Sequence, residues 1–202
     1  MGWTAVCLDA DLPDRVVIAA HHGDTEIAVW RSATGQLAAW ADRCPHRGMR
    51  LSHGFVRGEA LNCIYHGWTY GADGACTRIP AHPGLIPPAT IRAQRFACVQ
   101  ARGLVWVGPL GLQTLLPDLA GLIPVRSLVA EVSVDQLAHC FGPQDGPVWR
   151  GEHAGLPFGI YVQPLGGARC LVHLLVQDRQ HCIAASRWIE GIRDSAERGA
   201  TP

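Results

Sequence analysis

Two short segments that each contain one cysteine and one histidine constrain this chain more than any other feature. One residue separates Cys44 from His46, two residues separate Cys63 from His66, and sixteen residues lie between His46 and Cys63. A glycine follows the histidine in each segment and permits a positive φ, which lets backbone amides approach a bound group. Each segment therefore has the composition of a metal-binding loop that supplies one thiolate and one imidazole.

The division of the ligand types favours a Rieske-type 2Fe-2S cluster. Such a centre needs two thiolates on one iron and two imidazoles on the other, and its reduction potential lies at roughly −150 to +300 mV. Structural zinc sites also take four ligands, but usually from C-x2-4-C and H-x3-5-H pairs. Because cysteine and histidine alternate here, we predict that the cluster ligands are Cys44, His46, Cys63 and His66, and we keep zinc as the lesser alternative.

The composition is that of an ordinary globular chain. Of its 202 residues 48% are hydrophobic, and 17 basic residues balance 17 acidic ones. This balance gives no reason to expect nucleic acid or an anionic membrane as a partner. No apolar run has the length of a membrane span and the start lacks the features of a signal peptide, so we predict a cytoplasmic protein. We expect the remaining six cysteines to be reduced and buried: Cys7, Cys76, Cys98, Cys140, Cys170 and Cys182.

Recurring turn signals predict a mainly β fold for the first half of the chain. Glycine, proline and aspartate recur about every eight to twelve residues, which is typical of an antiparallel β-sandwich or small barrel. The predicted strands are residues 5–8, 16–19, 27–30, 37–40, 60–63, 68–70, 96–100 and 104–107. The candidate ligands then lie in loops at strand ends.

Proline-rich connections at residues 79–88 and 110–124 indicate where the first domain ends. We therefore predict a first domain over residues 1–110 and a small α+β tail over residues 111–202. In the tail we predict strands at residues 129–134, 158–163 and 170–176, and a helix at residues 185–198.

The cluster segments resemble those of the Rieske non-haem iron oxygenases, the ring-hydroxylating and demethylating family. The resemblance rests on Asp42-Arg43-Cys44-Pro45-His46-Arg47-Gly48 and on Cys63-Ile64-Tyr65-His66-Gly67-Trp68, and it covers roughly residues 1–110. Respiratory Rieske proteins carry a further cysteine in each loop, where this chain has Met49 and Tyr65, so that subclass is disfavoured. The resemblance implies a Rieske-type sandwich or barrel with two cluster-binding loops, a reductase or ferredoxin as electron donor, and an oligomeric assembly.

The catalytic iron site of that family is not recognisable in the tail. Family oxygenases bind a mononuclear iron through two histidines and a carboxylate, marked by an Asp-x-x-His-x4-His helix. Here Asp135 and His139 are followed by Cys140-Phe141-Gly142-Pro143, which interrupts a helix before a second histidine. Five other residues are weak candidates for iron ligands and are more simply explained as ordinary strand or loop residues: Asp145, Glu152, His153, His173 and His181. We expect no mononuclear iron site and interpret residues 111–202 as a shortened remnant of the catalytic domain.

The leading hypothesis is an electron-transfer component without catalytic residues or a substrate pocket of its own. It would pass single electrons from a reductase or ferredoxin to a mononuclear iron on an oxygenase partner subunit. A self-sufficient hydroxylase or demethylase with an atypical iron site is one alternative. A non-catalytic subunit, in which the cluster senses redox state or stabilises an assembly, is the other.

Several side chains beside the cluster segments have weaker predictions. Arg47 and Arg50 are candidates for contact with an acidic redox partner. We expect Trp68 and Tyr70 to pack in the core, with the hydroxyl group of Tyr65 as a lesser candidate for a hydrogen bond to a ligand. His53 is expected to be a loop residue and no ligand. The sequence does not identify a substrate.

Overall fold

Ten short strands build the amino-terminal part of the protein, seen in a computed structural model that describes residues 2–141 and 147–199. The strands are β1 (Thr4–Leu8), β2 (Val17–His22), β3 (Thr25–Arg31), β4 (Leu37–Ala41), β5 (Phe55–Arg57), β6 (Ala60–Asn62), β7 (Thr69–Gly71), β8 (Cys76–Arg78), β9 (Arg95–Ala101) and β10 (Leu104–Gly108). They form a six-stranded sheet of order β1-β10-β9-β4-β3-β2 and a four-stranded sheet of order β5-β6-β7-β8.

The chain divides into two compact units. The first contains Met1–Gln100 and Val105–Thr114, and the second contains Ala101–Leu104 and Leu115–Pro202. The mainly β prediction is confirmed, and all eight strands predicted in the first half overlap observed strands. Only β5 and β8 have no predicted counterpart there.

Alternating side chains bury both faces of β3 and β4. Successive residues of a strand point to opposite faces, so Trp30 and Trp40 lie on the face that packs against the four-stranded sheet, where Tyr70 joins them. The rings of Trp30 and Trp40 meet edge to face with centroids 5.1 Å apart, and those of Trp40 and Tyr70 lie 6.2 Å apart. Ile27 and Val29 lie in the separate apolar cluster on the other face. The small sheet is thereby fixed to β4, the strand that leads into the first cysteine–histidine segment.

The second unit is a four-stranded antiparallel sheet with two helices. Its elements are β11 (Ile123–Ala130), α1 (Val134–Phe141), β12 (Val148–His153), β13 (Leu156–Pro164), β14 (Cys170–Val176) and α2 (Cys182–Glu197), and the strand order is β11-β14-β13-β12. Apolar side chains of β13 and β14, including Ile160 and Leu174, pack with Ala185, Ile189 and Ile192 of α2 in one core.

The sequence placed one element of this unit wrongly and left α1 and β12 unpredicted. Residues 129–134 were expected to be a strand, but β11 ends at Ala130 and α1 begins at Val134. Ser133 and Gln136 exchange hydrogen bonds, since the Ser133 amide donates to Gln136 Oε1 and the Gln136 amide donates to Ser133 Oγ. This reciprocal pair is a capping box, which starts a helix. The predicted strands at 158–163 and 170–176 and the predicted helix overlap β13, β14 and α2.

The burial of the cysteines agrees in part with expectation. All eight cysteines are free thiols. Cys7, Cys76 and Cys170 are buried as expected, whereas Cys98, Cys140 and Cys182 are only partly buried.

No helix in the described residues is long and apolar enough to cross a membrane.

Candidate metal centre

The first cysteine–histidine segment forms a tight loop after β4, which we call loop 1 (residues 43–49). The amide of Cys44 donates to the Met49 carbonyl over 2.8 Å, and the amide of Gly48 donates to the Cys44 carbonyl over 2.8 Å. Gly48 has a φ of 72°, which a residue with a Cβ adopts only with strain. At the base of the loop the buried carboxylate of Asp42 accepts hydrogen bonds from the amide (2.7 Å) and the hydroxyl (2.6 Å) of Ser52.

The second segment repeats this geometry between β6 and β7, in loop 2 (residues 63–68). The amide of Cys63 donates to the Trp68 carbonyl over 2.9 Å, and the amide of Gly67 donates to the Cys63 carbonyl over 3.0 Å. Gly67 has a φ of 68°, and a Cβ there would lie 3.1 Å from Pro80 Cγ. Each loop thus turns its cysteine inward by the same pair of hydrogen bonds, with a glycine at the position that needs a positive φ.

The two cysteine side chains meet in the interior of the first unit. Cys44 is 3% exposed and Cys63 is 2% exposed. Burial raises the pKa of the Cys63 thiol, which also contacts the Cys44 side chain, while backbone hydrogen bonds from Tyr65 and His66 oppose this increase. Amides directed at a cysteine sulfur are the donors that stabilise a negatively charged thiolate ligand.

The two histidine side chains lie together nearer to solvent. The ring centroids of His46 and His66 are 4.8 Å apart, and the His66 side chain is exposed. The indole of Trp68 stacks on His46, and the ring of Tyr65 lies 3.8 Å from that of His66. Burial, with His66 and Arg47 nearby, lowers the pKa of His46 and favours the neutral imidazole that binds metals.

The arrangement fits a binuclear centre. Thiol lies with thiol and imidazole lies with imidazole, which is the division of ligands that a Rieske cluster requires. The pairing by donor type therefore supports a two-iron cluster more than tetrahedral zinc, and the assignment of Cys44, His46, Cys63 and His66 as ligands stays a prediction.

The hydroxyl group beside the sulfur of Cys44, a candidate ligand, belongs to Tyr70 and not to Tyr65. Tyr70 Oη lies 3.1 Å from Cys44 Sγ, and the Tyr70 side chain is fully buried. Tyr65 is 53% exposed. Tyr70 therefore does more than pack in the core, which was its predicted role.

The arginines and His53 are distributed along the surface of this unit. Arg50 forms an ion pair with Glu26, whereas Arg47 is exposed and makes no ion pair with a described residue. His53 is an exposed residue of a short 3-10 turn, Leu51–His53, as expected for a loop histidine.

The weak candidates of the second unit are held by separate local contacts. His139 Nδ1 lies 2.7 Å from the Asp135 carbonyl one turn earlier in α1. His173 is buried in β14 with Nδ1 2.7 Å from Ser127 Oγ. The exposed ring of His153 stacks on Trp188. Glu152 is exposed in β12 and His181 ends a 3-10 turn, while Asp145, Gly142 and Pro143 lie outside the described residues.

A cavity that the sequence did not predict lies beside α2. Its volume is about 150 Å³, and its lining is apolar except for His153. The lining residues are His153, Ala154, Leu156, Pro157, Phe158, Ala184, Ala185 and Trp188. They come from a hairpin and a helix that are distant in sequence, so no local pattern indicates the cavity.

Comparison with known proteins identifies the first half of the chain. Residues 2–96 match the family described as Rieske [2Fe-2S] domain. Oxidoreductase NdmD of Pseudomonas putida is 42% identical over 105 residues, which are 52% of this chain and 18% of that protein. The 4beta-methylsterol monooxygenase of Methylococcus capsulatus is 38% identical over 109 residues, 53% of this chain and 30% of that protein. The chain thus spans less than a third of either relative.

Solved structures resemble the chain over nearly all its length. The structure of NdmA from P. putida CBB5 in a variant with theobromine gives a TM-score of 0.76 at 18% identity, covering 96% of this chain and 80% of that one. Apo dicamba monooxygenase gives 0.78 at 18% identity, covering 98% and 85%. At this identity the likeness concerns the fold, and it confirms the expected Rieske-type β architecture.

Proposed function

Through residues 2–96 the chain belongs to the Rieske [2Fe-2S] domain family, and from this premise we propose that it is the electron-transfer component of an oxygenase system. A Rieske-type 2Fe-2S cluster is its cofactor. In this proposal the chain takes single electrons from a reductase or ferredoxin and passes them to a mononuclear iron on a partner subunit. The family and its oxygenase relatives support an electron-transfer or oxygenase role.

The observation that carries the proposal is the pairing of like donors at different depths. Cys44 and Cys63 are buried together and would hold one iron, while His46 and His66 lie together near solvent and would hold the other. When bound, the cluster accepts and releases one electron. The exposed edge of His66 then provides the shortest route between the centre and a redox partner.

The surrounding residues hold this centre in place. Tyr70 directs its hydroxyl group at Cys44 Sγ, and Trp68 covers one face of the His46 ring. Trp40 and Tyr70 pack beneath the sulfur side and exclude water from the thiolates. One side of the centre is therefore enclosed and the other is open, as suits a carrier that exchanges electrons with other proteins.

The contacts in the second unit favour a component over a self-sufficient oxygenase. His139 Nδ1 contacts the backbone carbonyl of Asp135 within α1, and His173 Nδ1 contacts Ser127 Oγ inside the sheet. The fold likeness covers 96% or more of the chain and so extends into the region of residues 111–202. We propose that this region is a shortened catalytic domain that serves assembly of an oligomer in the cytoplasm.

The deciding experiment counts iron and acid-labile sulfide per chain on anaerobically purified protein, with EPR before and after dithionite reduction. We expect about two irons and two sulfides with a Rieske-type signal on reduction. A third iron that forms a nitric-oxide adduct would identify an oxygenase in its own right and overturn the proposal. Substrate-dependent oxygen consumption by the chain alone would have the same meaning.

Matched variants test the ligand assignment. His66→Ala is expected to abolish the Rieske signal, whereas His53→Ala, at another exposed histidine of the first unit, should leave it unchanged. Cys63→Ala should likewise lose the cluster, and Cys170→Ala, a buried cysteine of the second unit, should retain it. Retention of a normal cluster in either ligand variant would contradict the assignment.

A further inference from the structure

Loop 2 presents apolar side chains to solvent beside the exposed histidine. Ile64 is 57% exposed and Tyr65 is 53% exposed, and the ring of Tyr65 lies against that of His66. Both follow directly after Cys63, which is buried. Contiguous apolar residues at an exposed redox centre are unfavourable for an isolated protein and are typical of a contact surface.

Exposed arginines without ion-pair partners among the described residues lie in loop 1 and beside the end of loop 2. Arg43, Arg47 and Arg78 are exposed, and none of them forms a salt bridge with a described residue. Arg43 and Arg47 belong to loop 1, where a Cβ at Gly48 would lie 3.3 Å from Arg43 Nε. Arg78 pairs with Thr69 at the start of β7, directly after loop 2.

The charge along the first unit is strongly segregated, although the net charge of the chain is zero. Residues 43–95 contain seven arginines and two acidic residues, whereas residues 2–42 contain two arginines and six acidic residues. Two of the seven arginines are neutralised, Arg50 by Glu26 and Arg92 by Asp73. The segment that contains both loops therefore has a net positive charge.

We propose that an acidic one-electron carrier protein docks on this face, which we define as Ile64, Tyr65 and His66 with Arg43, Arg47 and Arg78. This inference rests on the proposed function and names the partner's surface chemistry. An apolar centre within a charged rim is the usual anatomy of a protein interface. Unpaired arginines attract a negatively charged partner before contact and orient it. The docked carrier then lies next to His66, the exposed candidate ligand.

The test measures how salt changes the rate of reduction of the intact chain. The cluster-loaded protein is mixed in a stopped-flow instrument with a reduced, acidic plant-type 2Fe-2S ferredoxin, and in parallel with the methyl viologen radical cation. Between roughly 0.01 M and 1 M ionic strength the Debye length shortens from about 30 Å to about 3 Å. We expect the rate constant with ferredoxin to fall at least about tenfold over this range. The rate with the cationic viologen should not fall.

Charge reversals locate the effect on the surface. Arg47→Glu and Arg78→Glu should each slow reduction by ferredoxin about tenfold at low salt. Arg57→Glu makes the same change in net charge at the turn of the β5–β6 hairpin, the end away from Cys63, and should alter the rate less than about twofold. If Arg47→Glu does not retain its cluster, Arg78→Glu, which lies outside both loops, decides the question.

The outcomes separate the two proposals. A salt-independent rate of reduction by ferredoxin, or equal slowing in Arg57→Glu and Arg78→Glu, would overturn the proposed docking of an acidic carrier on this face. The face would then be assigned to another partner, such as an oxygenase subunit. A cluster that neither ferredoxin nor viologen reduces would overturn the proposed function itself. Rapid reduction by viologen with salt-sensitive, Arg78-dependent reduction by ferredoxin would support both.

Discussion

The indole of Trp68 lies flat on the imidazole of His46, with ring centroids 4.1 Å apart and planes inclined by 6°. His66 approaches the same imidazole nearly edge-on, at an interplanar angle of 65°. The His46 ring is therefore fixed by two neighbours before any bond to iron forms. A ligand held in its binding orientation binds metal with less loss of conformational freedom.

Loss of this stack should weaken retention of the cluster. We expect Trp68→Ala to release iron several-fold faster than the parent protein in the presence of a chelator, because the His46 ring becomes free to rotate. Trp68→Phe keeps an aromatic face and should behave much like the parent. The measurement is the decay of cluster absorbance, with EPR linewidth as a second readout. Equal decay in Trp68→Ala and Trp68→Phe would show that stacking does not hold the ligand.

The hydroxyl group of Tyr70 should raise the reduction potential. A hydrogen bond to Cys44 Sγ stabilises the reduced cluster more than the oxidised one, because reduction places more negative charge on the sulfurs. If the hydrogen bond stabilises the reduced cluster by about 1 kcal/mol more than the oxidised one, its loss in Tyr70→Phe lowers the one-electron reduction potential by roughly 45 mV. Tyr65→Phe removes an exposed hydroxyl group and is the matched control. Redox titration followed by EPR measures both shifts, and equal potentials would disprove the role of Tyr70.

Gly54 should be the glycine most sensitive to substitution near the loops. A Cβ at this position would lie 2.3 Å from the backbone oxygen of Asn62 in β6, closer than any relaxed contact. Gly54→Ala must therefore separate the 3-10 turn from β6, at a cost of about 2 to 4 kcal/mol in the free energy of unfolding. A Cβ at Gly84 meets no atom within 4 Å, so Gly84→Ala is the control. Thermal unfolding followed by circular dichroism should show a lower midpoint only for Gly54→Ala.

The chemistry of the ligands explains why the loops could be predicted from sequence. Cluster binding demands particular residue types at short spacings, and Cys44 with His46 and Cys63 with His66 display this pattern locally. The contact between Tyr70 and Cys44 joins residues 26 positions apart and depends on how two sheets pack. No local pattern encodes such a contact, so the sequence suggested Tyr65 instead.

The second unit was harder to predict for a related reason. Residues 129–134 are apolar and β-branched in part, which favours a strand, but the capping residues Ser133 and Gln136 override this preference and start α1. The three-residue strands β5 and β8 escaped prediction because their formation depends on pairing with β6 and β7. Local propensity therefore identified most strands of the first unit, but it did not identify α1 or β12 of the second.

The buried carboxylate of Asp42 should anchor loop 1 through Ser52. It accepts two hydrogen bonds from one residue, so loss of the carboxylate leaves the amide and the hydroxyl group of Ser52 both without an acceptor. We expect Asp42→Ala to lower the free energy of unfolding by about 3 kcal/mol, since hydrogen bonds to charged groups contribute about 1.5 to 3 kcal/mol each. Ser52→Ala removes only the hydroxyl bond and should cost about 1.5 kcal/mol, the lower end of that range.

A variant with both substitutions tests whether Asp42 and Ser52 stabilise the protein through their shared hydrogen bonds or independently of each other. If the Ser52 hydroxyl acts through Asp42, Asp42→Ala with Ser52→Ala should be about as stable as Asp42→Ala alone, because the second substitution removes a bond already lost. Additive losses measured by urea unfolding would contradict the anchor. Asp42 lies two residues before Cys44, so Asp42→Ala should also release iron faster than Ser52→Ala. Equal rates of iron loss would show that the carboxylate stabilises the fold without positioning loop 1.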